Sequence, residues 1–158
     1  MTKPAIQVEI ICGVAAFAEE EQNMVNIEWD CVRPLKMGTE VDVLEVRYLF
    51  KLPADLKECI KEHNGGIPFP YTFDFGQNKG KVFGGLLSFN EGDADSFYDV
   101  VSRFETPDKK LTMFPFGVDP AGNLLCVKDD KIVFYYTETE ESFFISKTFT
   151  DFLDMLYE

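Results

Sequence analysis

The sequence predicts one α+β domain, in which N-terminal and C-terminal helices pack on a mainly antiparallel sheet of about five to six strands. Apolar residues recur at helical spacing in residues 39–63 and again in residues 148–156. Between these segments, much of residues 69–145 alternates apolar and polar positions, as strands do. The chain has 158 residues, of which 46% are hydrophobic. A chain of this length removes roughly 68–70% of its unfolded surface from water, which suffices for a core.

Residues 1–28 are expected to be an extension that precedes the domain or packs on it, and residues 29–158 are expected to form the domain. Within the extension, residues 6–11 have the pattern of a strand and residues 15–25 that of a helix. Residues 10–18 are similar to the end of a signal peptide. Gln7 and Glu9 interrupt the approach to that run, however, and only one lysine precedes it, so we expect a cytoplasmic location.

Two helices are predicted next. The first begins at Thr39 as N-cap, ends near Phe50 and buries one face, formed by Val41, Leu44 and Tyr48. The second begins at Pro53, since a proline suits the first helical position. Its apolar face contains Leu56, Cys59, Ile60 and His63, and Asn64-Gly65-Gly66 ends it because these residues tolerate left-handed backbone dihedrals.

The middle of the chain predicts strands. Alternation places four aromatic residues on one sheet face, namely Phe69, Tyr71, Phe73 and Phe75. A second strand is expected over residues 82–89, where Gly84-Gly85 marks a bulge or a close backbone approach. A short helix should then bury Phe97, Val100, Val101 and Phe104, with Asp93 or Asp95 as its N-cap.

The last part of the chain predicts an antiparallel meander followed by a helix. Strands are expected at residues 111–116, 123–128, 131–137 and 142–145. Asp119-Pro120-Ala121-Gly122 has the residue preferences of a type I turn between the first two. The final helix begins at Thr148, whose hydroxyl is placed to cap near Asp151, and buries Phe149, Phe152, Leu153 and Leu156.

Several short motifs occur in a fixed order along the chain: Trp29, Arg33-Pro34, LPADLK at residues 52–57 before Asn64-Gly65-Gly66, LLSF at 86–89, PFGVDPAGN at 115–123 and TFTDFL at 148–153. In order and spacing they resemble the SUKH superfamily, the Smi/Knr-type domains, over about residues 29–158. The resemblance implies a SUKH-like α+β fold. It also implies a bacterial immunity protein that binds a toxin made by the same cell or its kin.

Residues that could support catalysis are few, so no enzyme activity, cofactor or metal is expected. The only histidine, His63, lies at a helix end, where its charge would favour the helix C-terminus. Residues 90–95 are acidic enough to suggest calcium, but counting from Asp93, an EF-hand needs glycine and glutamate where Tyr98 and Phe104 stand. Cysteines 12, 31, 59 and 126 lack zinc or redox spacing and are expected to be reduced and buried.

The charge of the chain limits its partners. Fifteen basic residues stand against 28 acidic ones, for a formal net charge of −13. Direct binding of nucleic acid or an acidic membrane is therefore not expected, because phosphates require clustered Lys and Arg. A basic protein would be attracted. The alternative is that the charge merely keeps an aromatic-rich protein soluble, and from the sequence alone this is the preferred interpretation.

A partner-binding surface is expected on acidic loops and helix starts, which face solvent. The candidate residues are Glu91, Asp93, Asp95, Asp99, Asp129 and Asp130. With the resemblance, they imply an immunity protein that occludes a basic, nuclease-type toxin domain. The alternative is a non-catalytic intracellular adaptor or regulatory domain of the Smi/Knr type. The sequence does not predict the oligomeric state.

Overall fold

A five-stranded antiparallel sheet is the centre of the fold in the computed structural model, which describes residues 26–158. The elements in chain order are β1 (Glu28–Asp30), α1 (Glu40–Tyr48), α2 (Ala54–His63), β2 (Ile67–Phe69), β3 (Thr72–Phe75), β4 (Asn78–Val82), β5 (Gly85–Leu86), α3 (Phe97–Val100), a 3₁₀ turn (Val101–Phe104), β6 (Phe114–Val118), β7 (Leu124–Lys128), β8 (Lys131–Tyr135), β9 (Ser142–Ser146) and α4 (Phe149–Asp154). The sheet order is β9-β8-β7-β6-β5, and β1-β2 and β3-β4 form separate antiparallel pairs. The predicted α+β class is confirmed.

The two faces of the sheet bury different clusters, because successive residues of a strand point to opposite sides. In β8, Ile132 and Phe134 face the main core beneath the helices. Val133 and Tyr135 face a smaller cluster on the other side, with Phe104 of the 3₁₀ turn. Strands β7 and β8 are therefore almost continuously apolar, as expected for strands covered on both faces.

The helices follow the predicted apolar faces. Helix α1 buries Val41, Leu44 and Tyr48, and α2 buries Leu56, Cys59 and Ile60. The predicted cap of α4 is confirmed: the Thr148 hydroxyl accepts from the Asp151 N–H at 2.9 Å. Thr39 stands at the N-cap of α1, but its side chain makes no capping bond. The Glu40 carboxylate instead accepts from the Met37 N–H at 2.8 Å.

The predicted aromatic strand over residues 69–75 is two strands. Phe69 ends β2, and the chain leaves the pair at Pro70, which has no N–H to donate. Phe73 and Phe75 in β3 are buried, whereas Phe69 and Tyr71 remain more than 40% exposed. The expectation that the four aromatic residues share one sheet face was therefore wrong, because Phe69 and Phe73 belong to different strand pairs.

The predicted strand over residues 82–89 also divides. Residues up to Val82 belong to β4, while β5 pairs with β6 in the central sheet. Gly84 lies between them, and a Cβ there would stand 2.9 Å from the Val118 carbonyl oxygen. The predicted close approach is confirmed. A β-turn is present at the predicted place too, since the Gly122 N–H donates to the Asp119 carbonyl at 3.1 Å.

The cysteines differ from the expectation. Cys126 is buried and free, as predicted, and burial raises the pKa of its thiol. Cys31 is free but exposed. Cys59 is buried, yet it is disulfide-bonded and not reduced. The strand and helix predicted in residues 6–25 lie outside the described residues. Within residues 26–158, every helix is too short or too polar to cross a bilayer.

Candidate functional site

The side chain of Asn64 joins three segments that are distant in sequence. Its amide nitrogen donates to the Arg33 carbonyl at 2.7 Å and to the Ser88 hydroxyl at 3.1 Å. Its amide oxygen accepts from the Phe89 N–H at 2.8 Å. Asn64 is fully buried, so these bonds satisfy polar groups that have no access to water. We call Asn64 and Ser88 the Asn64 junction.

Ser88 extends this junction into the acidic loop, which we define as residues 90–99. Its hydroxyl donates to the Asp93 carboxylate at 2.7 Å and accepts from the Asn90 N–H at 3.1 Å. The hydrogen bond from Ser88 is the largest of several effects that hold the pKa of Asp93 below its usual value. The backbone of Ser88 also accepts from Phe97 and donates to Asp95, at 2.8 and 3.0 Å. Both ends of the loop are thereby fixed to the junction.

A basic segment, residues 33–36, packs against the same loop. The Arg33 guanidinium donates to the Ala94 carbonyl at 2.7 Å. The Asn90 side chain donates to the Pro34 carbonyl at 3.0 Å and accepts from the Lys36 N–H at 3.0 Å. The charges of Arg33 and Lys36 also contribute to the lowered pKa of Asp93. Residues 33–36 therefore hold the acidic loop in place through hydrogen bonds and through opposite charge.

The predicted acidic residues of the loop are in different surroundings. Glu91, Asp95 and Asp99 are exposed, and Asp93 is half-buried. Asp99 accepts from the Ser96 N–H at 3.3 Å, so the N-cap of α3 is Ser96. The expectation that Asp93 or Asp95 caps this helix was wrong. Glu91, Asp95 and Asp99 are left as the carboxylates of the loop most open to a partner.

Tyr98 lies beside these carboxylates and connects the loop with α1. Its hydroxyl donates to the Phe89 carbonyl at 3.2 Å. Burial raises the pKa of Tyr98, and the negative charges of Glu91 and Glu40 add to the effect while Arg47 opposes it. Because Glu40 and Arg47 belong to α1, the surface around Tyr98 combines acidic groups from two elements with one arginine.

Asp129 and Asp130 form the two-residue turn between β7 and β8. Both have positive φ angles, 53° and 62°, as a type I′ hairpin turn requires. Asp130 lines a surface cavity of about 430 Å³ at the start of α2, with Leu52, Asp55 and Thr148 among its other lining residues. None of the lining residues belongs to the acidic loop. The six predicted residues thus occupy two separate places.

The His63 imidazole packs on Trp29, which itself packs against the main core. The rings of His63 and Trp29 stack with centroids 5.2 Å apart and an interplanar angle of 12°. Burial lowers the pKa of His63, which opposes the charged role expected at the helix end. Gly66 makes this packing possible, since a Cβ there would stand 2.8 Å from the His63 carbonyl oxygen and 3.1 Å from Trp29 Cε3.

Metal-ligating side chains do not converge in residues 26–158: no group of three or more His, Cys, Asp or Glu is arranged to hold an ion. What the described part of the chain offers to a partner is surface charge. The residues that the sequence reasoning missed are Ser88 and Asn90, which fix the acidic loop. Ser88 directly follows Leu86 and Leu87, and Asn90 directly follows Phe89. These positions were the available signal, because a buried polar side chain there needs partners.

An antiparallel sheet covered by short helices, with a buried junction that supports an acidic loop, defines an α+β domain. The model of the SMI1 / KNR4 family (SUKH-1) matches residues 39–155, and the chain belongs to this family. The Asn64 junction and the turn at Asp119 lie inside the matched region. Searches of curated proteins and of solved structures found no significant match.

Proposed function

We propose that this protein is an immunity protein, which binds and covers a cognate toxin domain of basic, nuclease type. The observation that carries this proposal is membership of the SMI1 / KNR4 family (SUKH-1) over residues 39–155. Proteins of the SUKH superfamily commonly neutralise toxins by binding them. The net charge of −13 supports a basic partner in particular, because a nuclease must attract an anionic substrate.

The mechanism is occlusion without chemistry. A negatively charged protein competes with the phosphate backbone for the same basic cleft, and its long-range field accelerates the encounter. We assign this contact to the acidic loop, where Glu91, Asp95 and Asp99 are exposed. Asp93 supports the loop through Ser88, so its contribution is to position the others. The turn at Asp129 and Asp130 is the second candidate contact.

The first experiment tests neutralisation. A nuclease-type toxin domain from a neighbouring open reading frame, where one is found, is expressed in cells with and without this protein, and survival is recorded. Purified components are then compared for nuclease activity and complex formation. We expect survival and a one-to-one complex that inhibits the nuclease. A chain that binds no such domain and gives no protection would contradict the proposal and favour the adaptor function.

The second experiment locates the contact. In one variant, Glu91→Gln, Asp95→Asn and Asp99→Asn remove three charges from the loop with little change in shape. Asn suits the positive φ of residue 95, which is 50°. The matched variant carries Asp129→Asn and Asp130→Asn, which preserves the hairpin turn. We expect the loop variant to lower the association rate about tenfold or more and to flatten its salt dependence. If only the turn variant does so, the contact lies at the hairpin.

A cytoplasmic location is part of this proposal, because an intracellular nuclease target has to be protected there. Disulfides are rare in the cytosol. The disulfide at Cys59 is unexpected in that compartment. The cytoplasmic location is therefore the component of the proposal that experiment can test most directly. Cell fractionation with acid quenching and thiol alkylation reports both the compartment and the redox state of Cys59. Recovery in an oxidising compartment would refute the cytoplasmic assignment.

A further inference from the structure

One face of the β1-β2 pair leaves apolar side chains exposed. In the antiparallel register, Ile67 lies opposite Asp30 and Phe69 lies opposite Glu28. Directly opposite residues point to the same side of a sheet, so these four side chains share one face. Ile67 is 43% exposed and Phe69 is 42% exposed. Tyr71 extends the face, since its ring centroid lies 6.0 Å from that of Phe69 and its side chain is 43% exposed. We call these five residues the Phe69 face.

The other side of the same pair packs on the core and holds this face in place. Trp29 and Pro68 lie opposite each other on that side, and the Trp29 ring meets Phe83 edge-on with centroids 6.2 Å apart. Just before β2, the Gly66 carbonyl accepts from the Leu86 N–H at 2.9 Å, which fixes the strand to the central sheet. A surface supported in this way needs little ordering when a partner binds.

Negative charge is the second property of the Phe69 face. Glu28 and Asp30 are exposed, and within residues 26–158 neither carboxylate takes part in an ion pair. The basic residue that follows them along the chain, Arg33, is engaged elsewhere. Its guanidinium packs against Gly65 and donates to the Ala94 carbonyl at 2.7 Å. Two carboxylates therefore lie beside aromatic and aliphatic surface without a basic partner from this part of the chain.

The side chain that matches this combination of groups is arginine. Its planar guanidinium can donate two N–H groups to one carboxylate and can also stack on an aromatic ring. Side chains directly opposite in an antiparallel pair have Cβ atoms about 4.5–5.5 Å apart, so one guanidinium can reach the Glu28 carboxylate and the Phe69 ring together. Lysine carries the same charge, but its compact and strongly hydrated ammonium lacks this planar arrangement of donors.

We propose that the Phe69 face binds arginine side chains on the surface of a basic protein partner. This inference deepens the proposed function and rests on it, because the basic toxin domain is the partner that presents them. Aromatic anchors of this kind hold a complex together, whereas exposed charges mainly accelerate its formation. The Phe69 face therefore slows dissociation, and the acidic loop speeds association. Only Cys31 and Val32 separate Asp30 from Arg33, which contacts the loop, so one short segment connects the two surfaces.

The first test uses a defined probe, the tripeptide acetyl-Arg-Gly-Arg-amide, and does not require the toxin. NMR titration of the full chain at low salt follows the backbone amides of residues 28–30 and of Ile67, Phe69 and Tyr71. We expect these signals to shift with a dissociation constant on the order of 1 mM. Acetyl-Lys-Gly-Lys-amide has the same charge and should bind roughly threefold more weakly or less. Equal binding of the two peptides would overturn the proposal. So would the absence of shifts at this face, whether residues 1–25, a second copy or nothing covers it.

Variants of the full chain assign the binding to particular groups. Glu28→Gln with Asp30→Asn removes both charges with little change in shape, and should weaken peptide binding roughly tenfold or more. Phe69→Leu keeps apolar surface but removes the ring, and should weaken binding roughly threefold. The matched control, Glu138→Gln with Glu141→Gln, removes two exposed charges elsewhere and should leave binding nearly unchanged. An equal loss in the control would show general charge attraction only and would refute the site.

The second test uses the toxin domain of the proposed function and measures association and dissociation rates separately. The charge variant of the Phe69 face should raise the dissociation rate roughly tenfold, whereas the acidic-loop variant should mainly lower the association rate. If the toxin domain binds and the variants of the Phe69 face dissociate at the parent rate, this inference fails and the proposed function stands. If the arginine peptide binds at the Phe69 face but no toxin domain is neutralised, the proposed function fails and the arginine-binding surface stands.

Discussion

Asn64 and Ser88 meet in the buried centre of the molecule, where the amide of Asn64 donates to the hydroxyl of Ser88 at 3.1 Å. The two residues are 24 positions apart and lie at the ends of different elements. Arg33 joins them through its carbonyl, which accepts from the same amide at 2.7 Å. This contact connects the end of α2, the start of the acidic loop and the segment that follows β1.

Asn64→Ala should therefore destabilise the domain strongly. It removes the partner of the Phe89 N–H, which stays buried, and of the Arg33 carbonyl, which is partly buried. An unsatisfied buried group costs about 1–3 kcal/mol, so we expect a loss of roughly 2–4 kcal/mol in the free energy of unfolding. Urea denaturation measures it. Gln77→Ala, at an exposed amide, is the control and should change stability by less than about 0.5 kcal/mol.

His63 should make stability depend on pH near neutrality. Burial lowers its pKa below 6.5 in the folded state, so the unfolded chain binds a proton more readily. The contribution of His63 is fully present above pH 6.5 and is lost as the pH falls from there through the folded pKa. His63→Phe keeps a ring against Trp29 and removes the titration. The unfolding midpoint of the His63→Phe variant should therefore no longer show the pH dependence that titration of His63 contributes.

Proton NMR measures the pKa of His63 directly, since it is the only histidine of the chain. Fluorescence of Trp29, the only tryptophan, gives an independent titration of the stacked pair. A pKa at or above 6.5 would contradict the effect of burial. An unchanged pH profile in His63→Phe would assign the pH dependence to other groups.

The two cysteines that are free within residues 26–158 should react at very different rates. Cys31 is exposed, whereas Cys126 is fully buried in β7 and its raised pKa disfavours the reactive thiolate. Brief alkylation of the native protein, followed by peptide mass spectrometry, should label Cys31 and leave Cys126 unmodified. Labelling of Cys126 should begin only in denaturant. Equal labelling of both in native buffer would show that β7 opens readily.

Replacing Asp129-Asp130 with a residue pair that is more favourable in a hairpin turn should increase the stability of the domain. Both residues have left-handed dihedrals, for which Asn-Gly is the preferred pair in a type I′ turn. Asp129→Asn with Asp130→Gly should stabilise the domain by roughly 0.5–1 kcal/mol, since Gly and Asn adopt these dihedrals at lower cost. Thermal unfolding measures the gain. Asp130→Val is the opposing variant, and a stability equal to that of the parent would contradict the turn assignment.

Features with a strong local signal could be predicted from the sequence to within a residue or two. The capping of α4 by Thr148 and the turn from Asp119 to Gly122 depend on neighbours within four positions. The strands of the meander follow from alternation and from short polar breaks. The prediction of one strand from Phe69 to Phe75 was wrong because the alternation of residues is the same in one strand as in two strands separated by Pro70.

The candidate site could be predicted only as a set of charges. The sequence shows that residues 91–99 are acidic, but it does not show which carboxylates bond inward. Asp93 bonds to Ser88 and is half-buried, whereas Glu91, Asp95 and Asp99 are exposed, although Asp99 also accepts from the Ser96 N–H. These differences depend on the Asn64 junction, whose partners are 24 to 31 residues apart. A polar residue such as Ser88 beside an apolar run signals that it has partners, but a single sequence does not identify partners so far along the chain.

The way the acidic loop is anchored has a consequence for the kinetics and specificity of any encounter. Its backbone is held by Ser88 at both ends, and Asn90 holds it against Pro34 and Lys36. Ordering a flexible residue costs about 1–2 kcal/mol in backbone entropy. Here that entropy is lost on folding, before a ligand arrives. Preorganisation of this kind favours fast docking with little rearrangement and narrows the range of shapes that the loop can accommodate.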